Sequence, residues 1–460
     1  MSRLRFQRRT RIDAPSEVVF AWHARPGALE RLLPPWERVV VEERTGGIED
    51  GVRVVLRVDV GPIGLRWVAI HGDVIPGRQF CDRQVQGPFR YWRHRHGFEP
   101  EGPSACYLED DVEYALPLGW LGSIVAGGSV REKLERMFAY RHAVTKADIE
   151  AHATRQGQTV MHVVVSGSRG LVGSALVSFL TTGGHRVTRL VRGAPANSDE
   201  AAWNPSQGLA EPSRFDGVDA VVHLAGENIA AGRWTPARKA KIRQSRAEGT
   251  RSLCESLARL AHPPKLLVSA SAIGFYGDRR AQTLTEESGA GSGFLPDVCR
   301  EWEAATEPAS QAGIRVVNLR FGMVLSPAGG ALRKMLLPFK FGLGGRIGNG
   351  DQFMSWIAID DAVAAIHHAL SAESLRGPVN AVAPTPVTNA EFTRTLARVL
   401  RRPALASVPP FAARLAFGEM ADALLLASAR VIPVRLRESG YRFRFPELEG
   451  ALRYLLQRVE

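Results

Sequence analysis

The run from Val163 to Ala175 reads Val-Val-Val-Ser-Gly-Ser-Arg-Gly-Leu-Val-Gly-Ser-Ala. An apolar, β-branched stretch leads into glycines at 167, 170 and 173, and a helix-forming segment follows. This order is typical of a buried strand, a tight turn and a helix that together bind the phosphates of a dinucleotide. An ordinary strand–turn–helix connection is the alternative, but the flanking elements stand where a phosphate site needs them.

Each glycine has its own task in such a loop. The first permits the turn off the strand, the second lets the backbone approach the pyrophosphate, and the third lets the helix pack on the sheet. The N-terminus of the helix offers N–H groups to the anion. The predicted cofactor contacts in this loop are Gly167, Ser168, Arg169, Gly170, Leu171, Val172 and Gly173.

Apolar runs alternate with helical segments from residue 161 onwards, which is the pattern of a parallel sheet with helices on its faces. The predicted strands are 163–166, 186–191, 220–224, 265–269 and 315–319. We therefore predict an α/β, Rossmann-like, doubly wound parallel sheet for this part of the chain.

The residue after the second strand bears on the choice of cofactor. An acidic side chain there binds the ribose 2′-hydroxyl of NAD, whereas an arginine suits the 2′-phosphate of NADP. Here it is Arg192, and Arg169 in the glycine loop is a candidate for a second clamp on the phosphate. A solvated surface arginine is the alternative for each. NADP is predicted, with NAD the less favoured choice.

Two further strands end in residues suited to a ligand, since open α/β sheets bind ligands beyond the carboxyl ends of their strands. Leu224, Ala225 and Gly226 end the third strand, and their small size would let the adenosine side of the cofactor approach the backbone. The next strand is followed by Ser271 and Tyr276, which bring a hydroxyl and a phenol to the same edge.

Several motifs of this part resemble the extended short-chain dehydrogenase/reductases, and more narrowly the sugar-nucleotide epimerase-like branch that includes cell-division-inhibitor-type proteins. They are Gly226-Glu227-Asn228-Ile229, Ser245-Arg246, Ser269-Ala270-Ser271-Ala272, Leu319-Arg320-Phe321-Gly322, Gly329-Gly330-Ala331-Leu332, Gly348-Asn349-Gly350-Asp351-Gln352, Ser355-Trp356-Ile357 and Asn380-Ala381-Val382-Ala383-Pro384. The resemblance spans most of residues 161–460 and implies a nicotinamide cofactor, with a C-terminal domain of unknown function.

The chain departs from that superfamily at the catalytic Tyr-x-x-x-Lys pair. The matching helix positions hold Cys299 and Glu303, and a carboxylate in place of lysine is expected to raise the pKa of the thiol. Ser271 matches the superfamily's catalytic serine. The catalytic candidates are therefore Ser271, Tyr276 and Cys299, with a structural role as the alternative for Tyr276.

The first 150 residues read as one helix, several alternating strands and a long amphipathic helix. Stretches such as 13–20, Pro34-Pro35-Trp36 and 87–92 resemble START-like, polyketide-cyclase-type helix-grip domains. The resemblance implies an α+β fold whose pocket takes an apolar or lipid-like ligand. His94 and His96 share a strand face with Trp92, but no third ligand is evident nearby in sequence, so no metal site is predicted.

Composition limits the remaining possibilities. The net charge of +12 and pI of about 10 invite a nucleic-acid function, but the excess is almost all arginine and the densest cluster, 3–11, alternates like a strand with one wet face. Four scattered cysteines and the lack of an apolar N-terminal segment favour the cytoplasm. The glycine-rich stretch 116–130 is too short and too broken for a membrane span.

We predict a helix-grip domain at 1–150, a linker that finishes the long helix, a dinucleotide-binding domain at 161–385 and a small helical domain at 386–460. The predicted function is an NADP(H)-dependent oxidoreductase or epimerase of a small molecule, with a non-standard catalytic site. The alternative is a non-catalytic NADP(H)-binding sensor or scaffold whose N-terminal pocket holds an apolar ligand. Oligomeric state and substrate are left open.

Overall fold

The computed structural model describes residues 3–60, 63–117, 119–153 and 160–457. The chain divides into two compact units, one of residues 1–159 with 178–184 and one of residues 160–177 with 185–460. Among the described residues, no helix is both long and apolar enough to cross a bilayer.

The first unit is an antiparallel sheet with three helices. Its elements are β1 (Leu4–Ile12), α1 (Ser16–Ala24), α2 (Ala28–Leu32), β2 (Val39–Arg44), β3 (Arg53–Val60), β4 (Ile63–Ile75), β5 (Gln79–Gln86), β6 (Tyr91–Pro100), β7 (Cys106–Ala115) and α3 (Gly119–Ala153). The strand order is β1-β7-β6-β5-β4-β3-β2, and every neighbouring pair is antiparallel.

The long helix α3 packs on one face of this sheet. Phe138 stacks on Phe6 of β1 with ring centroids 5.2 Å apart, and Leu134 joins the same buried cluster as Trp92 and Val112. This sheet-and-helix arrangement confirms the predicted helix-grip fold. The helix continues to residue 153, so most of the predicted linker is helical, and its remainder at 154–159 lies outside the described residues.

The arginine-rich first strand lies beside acidic residues. Arg5 donates to Asp111 across the β1–β7 pair, with Nη2 2.6 Å from Oδ2, and Arg9 lies 2.6 Å from Glu99. Arg3 and Arg11 also meet carboxylates. The positive charge of this strand is therefore largely offset locally, because Arg3, Arg5, Arg9 and Arg11 each have an acidic partner within ion-pair distance.

The second unit is built on a mostly parallel eight-stranded sheet of order β11-β10-β9-β8-β12-β13-β15-β20. Its elements up to residue 321 are β8 (His162–Ser166), α4 (Leu171–Thr182), β9 (Arg186–Val191), β10 (Glu200–Asn204), β11 (Gly208–Leu209), β12 (Ala220–His223), α5 (Pro236–Ala258), β13 (Leu266–Ala272), β14 (Thr283–Leu284), α6 (Phe294–Ala304), α7 (Glu307–Gln311) and β15 (Arg315–Phe321). Short 3-10 helices span Pro212–Phe215 and Ile273–Tyr276.

The rest of the second unit mixes helices with short strands. The elements are β16 (Met323–Leu325), α8 (Gly330–Lys340), β17 (Gly345–Ile347), β18 (Phe353–Met354), β19 (Trp356–Ala358), α9 (Ile359–Ser371), β20 (Gly377–Ala381), β21 (Val387–Thr388), α10 (Asn389–Leu400), β22 (Ala406–Val408), α11 (Pro410–Phe417), α12 (Glu419–Ala421), a π-helical turn (Asp422–Leu426), β23 (Arg430–Val431), α13 (Val434–Glu438) and α14 (Leu448–Leu456).

The five predicted strands are confirmed as β8, β9, β12, β13 and β15, with β13 and β15 each extending beyond the predicted end. The two edge strands, β11 and β20, and the strand β10 next to β11 were not predicted. Their sequences lack a β-branched run, and β20 even contains Pro378, which an edge strand tolerates because its N–H is not needed in the ladder.

Helix α10, in the segment 386–460 that was predicted to be helical, begins at Asn389 because its first turn carries a complete capping box. Thr388 accepts a hydrogen bond from the Glu391 N–H, and the Glu391 side chain accepts from the Thr388 N–H. Phe392 and Leu396 of this helix share a buried cluster with Trp356 and with Leu452 of α14. The segment after 385 therefore packs in one core with residues that precede it.

Candidate active site

The glycine loop joins β8 to α4 and is shaped by two tight contacts. Gly167 has φ +68°, and a β-carbon there would lie 2.7 Å from the carbonyl carbon of Leu224. A β-carbon on Gly173 would lie 2.2 Å from the Gly167 carbonyl oxygen. Side chains at these two positions are excluded by backbone atoms, so the turn and the helix packing require glycine.

Gly170 differs from the other two glycines because the space beside it is open. It is exposed, its backbone φ is ordinary, and an added β-carbon would meet only the Gly167 oxygen, at 3.2 Å. The helix begins at the next residue, so the N–H groups of Leu171, Val172 and Gly173 are the first-turn donors that have no intrahelical acceptor. This is a cradle that suits a phosphate and that a side chain at 170 would fill.

The two candidate phosphate-binding arginines are exposed. Arg192 follows the end of β9, and Arg169 extends from the glycine loop with 78% of its side chain accessible. Arg169 donates to the carboxylate of Glu200 at 3.0 Å. Glu200 itself is nearly buried on β10 and accepts from the Ala196 N–H at 2.9 Å. Sequence reasoning missed Glu200, because β10, the strand on which it lies, was not predicted.

A buried polar chain connects β8 to the end of β12. Ser166 Oγ lies 2.7 Å from His223 Nδ1, and His223 Nε2 lies 3.0 Å from Thr250 Oγ1. The N–H groups of Leu224 and Ala225 donate to Ser166 Oγ at 3.2 and 3.3 Å. This chain fixes the end of β12 against the glycine loop, where both residues were predicted to contact the cofactor. Burial lowers the pKa of His223 to about 4.

Gly226, just beyond the end of β12, lies beside the guanidinium of Arg246. Arg246 was not predicted as a site residue. An added β-carbon on Gly226 would lie 3.4 Å from the guanidinium carbon of Arg246, which donates to the Glu227 carbonyl at 2.9 Å. The guanidinium also lies over the ring of Trp302, 5.0 Å from its centroid. Arg246 belongs to the Ser245-Arg246 motif, but its position at the site depends on α5 and α6 packing together.

At the carboxyl end of β13, Ser271 contacts a charged pair. Its hydroxyl donates to Glu303 Oε1 at 2.7 Å. Arg320 of β15 donates to both oxygens of the same carboxylate, through Nε and Nη2, each at 2.7 Å. Arg320 is 3% exposed and was not predicted as a site residue. A buried arginine therefore compensates the carboxylate that stands in place of the superfamily's lysine.

Tyr276 lies within the core behind this pair. It is fully buried, its hydroxyl donates to Asn380 Oδ1 at 2.7 Å, and Arg320 Nη1 donates to the same hydroxyl at 2.9 Å. Burial is the main cause that raises the pKa of this phenol. A buried phenol whose proton is held by an amide is poorly placed to protonate a substrate. The geometry thus favours the structural alternative for Tyr276.

Cys299 is also buried, at 3% exposure. The pKa of its thiol is raised to about 12, first by burial and second by the charge of Glu303. The pKa of Cys299 is raised, as expected from the sequence, but the main cause is burial and not the charge of Glu303. Glu303 is compensated by Arg320, so removal of the thiol from water is the larger effect. Cys299 is thus a protonated thiol at neutral pH.

The first unit holds a second group of polar residues inside its sheet. His94 and His96 of β6 lie near Asp82 of β5, the third potential ligand that the sequence did not reveal. Asp110 of β7 contacts both imidazoles, at 2.8 Å each. Burial opposes ionisation of Asp110, yet the charge of His96 and imidazole hydrogen bonds hold the pKa of that carboxyl well below its usual value.

A lipid-binding pocket would be expected to have an apolar lining. The interior of the first unit is instead partly polar. Aromatic rings of Phe6, Trp92 and Phe138 occupy one part, and the carboxylates and imidazoles occupy another. Sequence reasoning missed this because Asp82 is far from His94 along the chain and meets it only through the pairing of β5 with β6.

Three family models match the chain. Residues 163–381 match the NAD dependent epimerase/dehydratase family, residues 12–142 match the polyketide cyclase / dehydrase and lipid transport family, and residues 408–455 match a domain of unknown function, DUF1731.

Similar curated proteins match the C-terminal part of the chain. An epimerase family protein of Mycobacterium bovis is 46% identical over 296 residues, which is 64% of this chain and 98% of that protein. The human epimerase family protein SDR39U1 is 37% identical over 299 residues, 64% of this chain and 100% of that protein.

Two solved structures are similar at more than 30% identity. A nucleoside-diphosphate sugar epimerase from Corynebacterium glutamicum is 34% identical, with a TM-score of 0.82 over 98% of this chain and 90% of that chain. Human SDR39U1 (isoform 2), described with NADPH, is 36% identical, with a TM-score of 0.60 over 65% of this chain and 100% of that chain. The first similarity extends through both units.

Proposed function

The chain belongs to the NAD(P)-binding epimerase family, whose members share the short-chain dehydrogenase/reductase fold, and from this premise we propose that it is an NADP(H)-dependent oxidoreductase or epimerase of a small molecule. The observation that carries the proposal is the open cradle at Gly170, between a glycine turn and the first donors of α4. The two neighbouring glycines tolerate no side chain there, whereas Gly170 leaves room for a phosphate.

The preference for NADP(H) over NAD(H) rests on two exposed guanidinium groups. Arg192 follows β9 at the position that faces the ribose in this fold, and Arg169 is held nearby by Glu200. Guanidinium groups bind phosphate oxygens in pairs of hydrogen bonds, which an unphosphorylated ribose does not offer. The NADPH described with human SDR39U1, 36% identical to this chain, supports the same choice.

Ser271 is the best candidate for contact with the reacting oxygen of a substrate. A nicotinamide supplies or accepts a hydride when bound. When an alcohol is oxidised, its hydroxyl proton must leave as the hydride leaves the carbon. Ser271 Oγ accepts that proton while its own proton passes to Glu303 Oε1, 2.7 Å away. Reduction runs the same transfer in reverse, so no proton is lost.

Arg320 acts in this proposal as a positioning residue. Its two hydrogen bonds fix the carboxylate plane of Glu303, and the hydrogen bond from Ser271 then fixes the serine rotamer. Tyr276 and Asn380 hold the guanidinium from behind. Cys299, protonated and buried, is assigned no proton transfer. The relay replaces the tyrosine and lysine of the superfamily.

A second function is favoured by the same contacts. The hydroxyls of Ser271 and Tyr276 both donate within the protein, so neither offers a free proton to a ligand. A protein that binds NADP(H) without chemistry, and reports or scaffolds through its helix-grip domain, is consistent with that arrangement. Both versions of the proposal share three further features. They are domain limits at 1–150, 161–385 and 386–460, an apolar ligand for the first domain, and a cytoplasmic location.

One experiment separates the two functions. NADPH and NADH are titrated into the full chain by calorimetry, and NADPH oxidation is then followed with a panel of aldehydes, ketones and quinones. The oxidoreductase proposal expects tighter binding of NADPH and substrate-dependent oxidation. Binding of NADPH with no oxidation by any panel member would contradict the oxidoreductase, and failure to bind either cofactor would overturn both functions.

A further inference from the structure

A row of ionisable side chains crosses the interior face of the first unit's sheet. His71 of β4 is directly opposite Asp82 of β5, and Asp82 is directly opposite His94 of β6. His96 lies two residues along β6 and so points to the same face, opposite Asp110 of β7. Antiparallel pairing brings opposite side chains within contact range, so residues from four strands form one cluster.

Three of these residues have the spacing of metal ligands. Asp82 Oδ2 lies 3.2 Å from His96 Nε2 and 3.7 Å from His94 Nδ1. Ligand atoms bound at about 2.0–2.1 Å to one tetrahedral ion lie roughly 3.3 Å from one another. These two separations bracket that value, and the three ligand atoms all lie within 4.8 Å of one another, so one ion can contact all three after side-chain adjustments.

The second nitrogen of each imidazole faces a single carboxylate. His94 Nε2 and His96 Nδ1 each lie 2.8 Å from Asp110 Oδ1. The other oxygen, Oδ2, lies 2.8 Å from His142 Nε2, and His142 Nδ1 lies 2.8 Å from Thr10 Oγ1. Histidine ligands commonly donate their remaining N–H to a carboxylate, which sets the tautomer and directs the other nitrogen at the metal. Asp110 Oδ1 is placed to accept this hydrogen bond from His94 Nε2, and it lies equally close to His96 Nδ1.

Several buried atoms of the cluster lack a hydrogen bond among the described residues. They are Asp82 Oδ1, His71 Nδ1 and His96 Nδ1. His96 is only 5% exposed, and its Nδ1 is near Asp110 without the alignment of a hydrogen bond. Two of the three nonetheless have a polar atom close by, since Asp82 Oδ1 lies 3.0 Å from His71 Nε2 and His96 Nδ1 lies 2.8 Å from Asp110 Oδ1. None of the three is an atom that would bind the ion.

The two carboxylates of the cluster need a positive charge close by, either from a protonated imidazole or from a bound ion. In the described part of the chain, only imidazole nitrogens come within ion-pair distance of Asp82 and Asp110. The guanidinium of Arg141 acts on both from further away and donates to the Leu32 carbonyl. A divalent ion would balance two carboxylates while leaving every imidazole neutral, which is the form that binds metal.

We propose that Asp82, His94 and His96 bind one divalent transition-metal ion of the zinc class, with Asp110 orienting both imidazoles. His71 Nε2 lies 3.0 Å from Asp82 Oδ1 and completes the outer contacts on the other side. Two histidines and one carboxylate leave at least one coordination position open, as in sites where a metal contacts a water or ligand oxygen. The ligand class of the first domain then includes a small molecule with an oxygen donor.

Cobalt(II) serves as the probe because its visible absorption reports ligand geometry. The full chain, purified without a histidine tag and treated with EDTA, is titrated with Co²⁺, and Zn²⁺ is then added in competition. The proposal expects one equivalent of a strong visible band that Zn²⁺ removes. Asp82→Asn and His96→Asn are expected to weaken affinity at least about tenfold, and Asp110→Asn about 10- to 100-fold.

Asp59→Asn on β3 and His262→Asn on the surface of the second unit are the matched controls, and they are expected to bind as the parent does. Circular dichroism checks that each variant is folded. No cobalt band in the folded parent protein would overturn the proposal without any variant. Unchanged affinity in folded Asp82→Asn and His96→Asn, or loss in His262→Asn, would assign the metal to another place and overturn it as well.

Discussion

Arg320 and Glu303 form a two-hydrogen-bond ion pair, with Nε to Oε1 and Nη2 to Oε2 both 2.7 Å. Glu303 occupies the helix position where the superfamily has lysine, so a negative charge stands there in place of a positive one. The cation now comes from the neighbouring strand β15, and the helix supplies the carboxylate. Ser271, which donates to that carboxylate, is thereby linked to a charged acceptor rather than to a phenol.

Removing the serine hydroxyl tests the relay. Ser271→Ala and Glu303→Gln are each expected to lower NADPH-dependent turnover by about 10²-fold or more, since each removes one step of proton transfer. NADPH affinity is expected to stay unchanged, because neither side chain belongs to the phosphate cradle. Turnover and calorimetric affinity are measured on the same preparations.

Glu301→Gln is the matched control for that pair of variants. Glu301 lies on the same helix, is exposed, and contacts Arg243 on the surface at 3.1 Å. Its turnover is expected to equal that of the parent. Full turnover in the Ser271→Ala protein would place the proton transfer elsewhere.

The dinucleotide fold could be predicted because its signals are local. Glycines at 167 and 173 are required by contacts within a few residues or with the adjacent strand end, and β8, β9 and β12 are short β-branched runs. Such signals can be recognised in a sequence because each local conformation favours a particular residue type: glycine in tight turns and β-branched residues in strands.

The chemistry of the two sites could not be predicted in the same way. Arg320 reaches Glu303 only because β15 lies beside β13, and Asp82 meets His94 only through the register of β5 against β6. These contacts depend on which strands pair in the folded protein. The spacing of the residues along the chain does not indicate that pairing. The Tyr276 phenol was a candidate by proximity in sequence, whereas its burial follows from packing around Asn380.

The cofactor preference depends on Arg192. Arg192→Ala is expected to weaken NADPH binding by about 10- to 100-fold, the equivalent of one charge-assisted phosphate contact, and to leave NADH binding nearly unchanged. Calorimetric titration of both cofactors measures the ratio. Arg189→Ala, at an exposed arginine of β9, the strand that Arg192 follows, is the control and is expected to keep the parent's preference. Equal affinities of the parent for NADPH and NADH would contradict the assignment.

The cradle itself is tested by Gly170→Val. Its β-carbon would meet one atom, the Gly167 oxygen at 3.2 Å, a close contact that a backbone shift of a few tenths of an ångström relieves, so the protein is expected to fold. The side chain then fills the place of the pyrophosphate, and cofactor binding is expected to be lost. Gly289→Val, at an exposed glycine where an added β-carbon would meet no atom within 4 Å, controls for the substitution. A folded Gly170→Val protein with the parent's NADPH affinity would mean that the loop is structural only.

The buried His223 predicts how the stability of the second unit depends on pH. Burial lowers its pKa from 6.5 to about 4, so between these values the unfolded chain binds a proton that the folded protein does not. The free energy of unfolding therefore falls as pH decreases from 6.5 towards 4, by up to about 3 kcal/mol. Above pH 6.5 the imidazole is neutral in both states and contributes no slope.

Hydrogen exchange of the β12 amides, compared at pH 6.5 and 4.5, measures this loss in the parent and in a His223→Gln variant. The variant keeps a side chain able to bond Ser166 and Thr250 but cannot bind the proton. Its stability is expected to change less between the two pH values, while exposed His262→Gln is expected to follow the parent. The same change in all three proteins would show that His223 is not the group whose protonation weakens the strand, because only His223→Gln removes that titration.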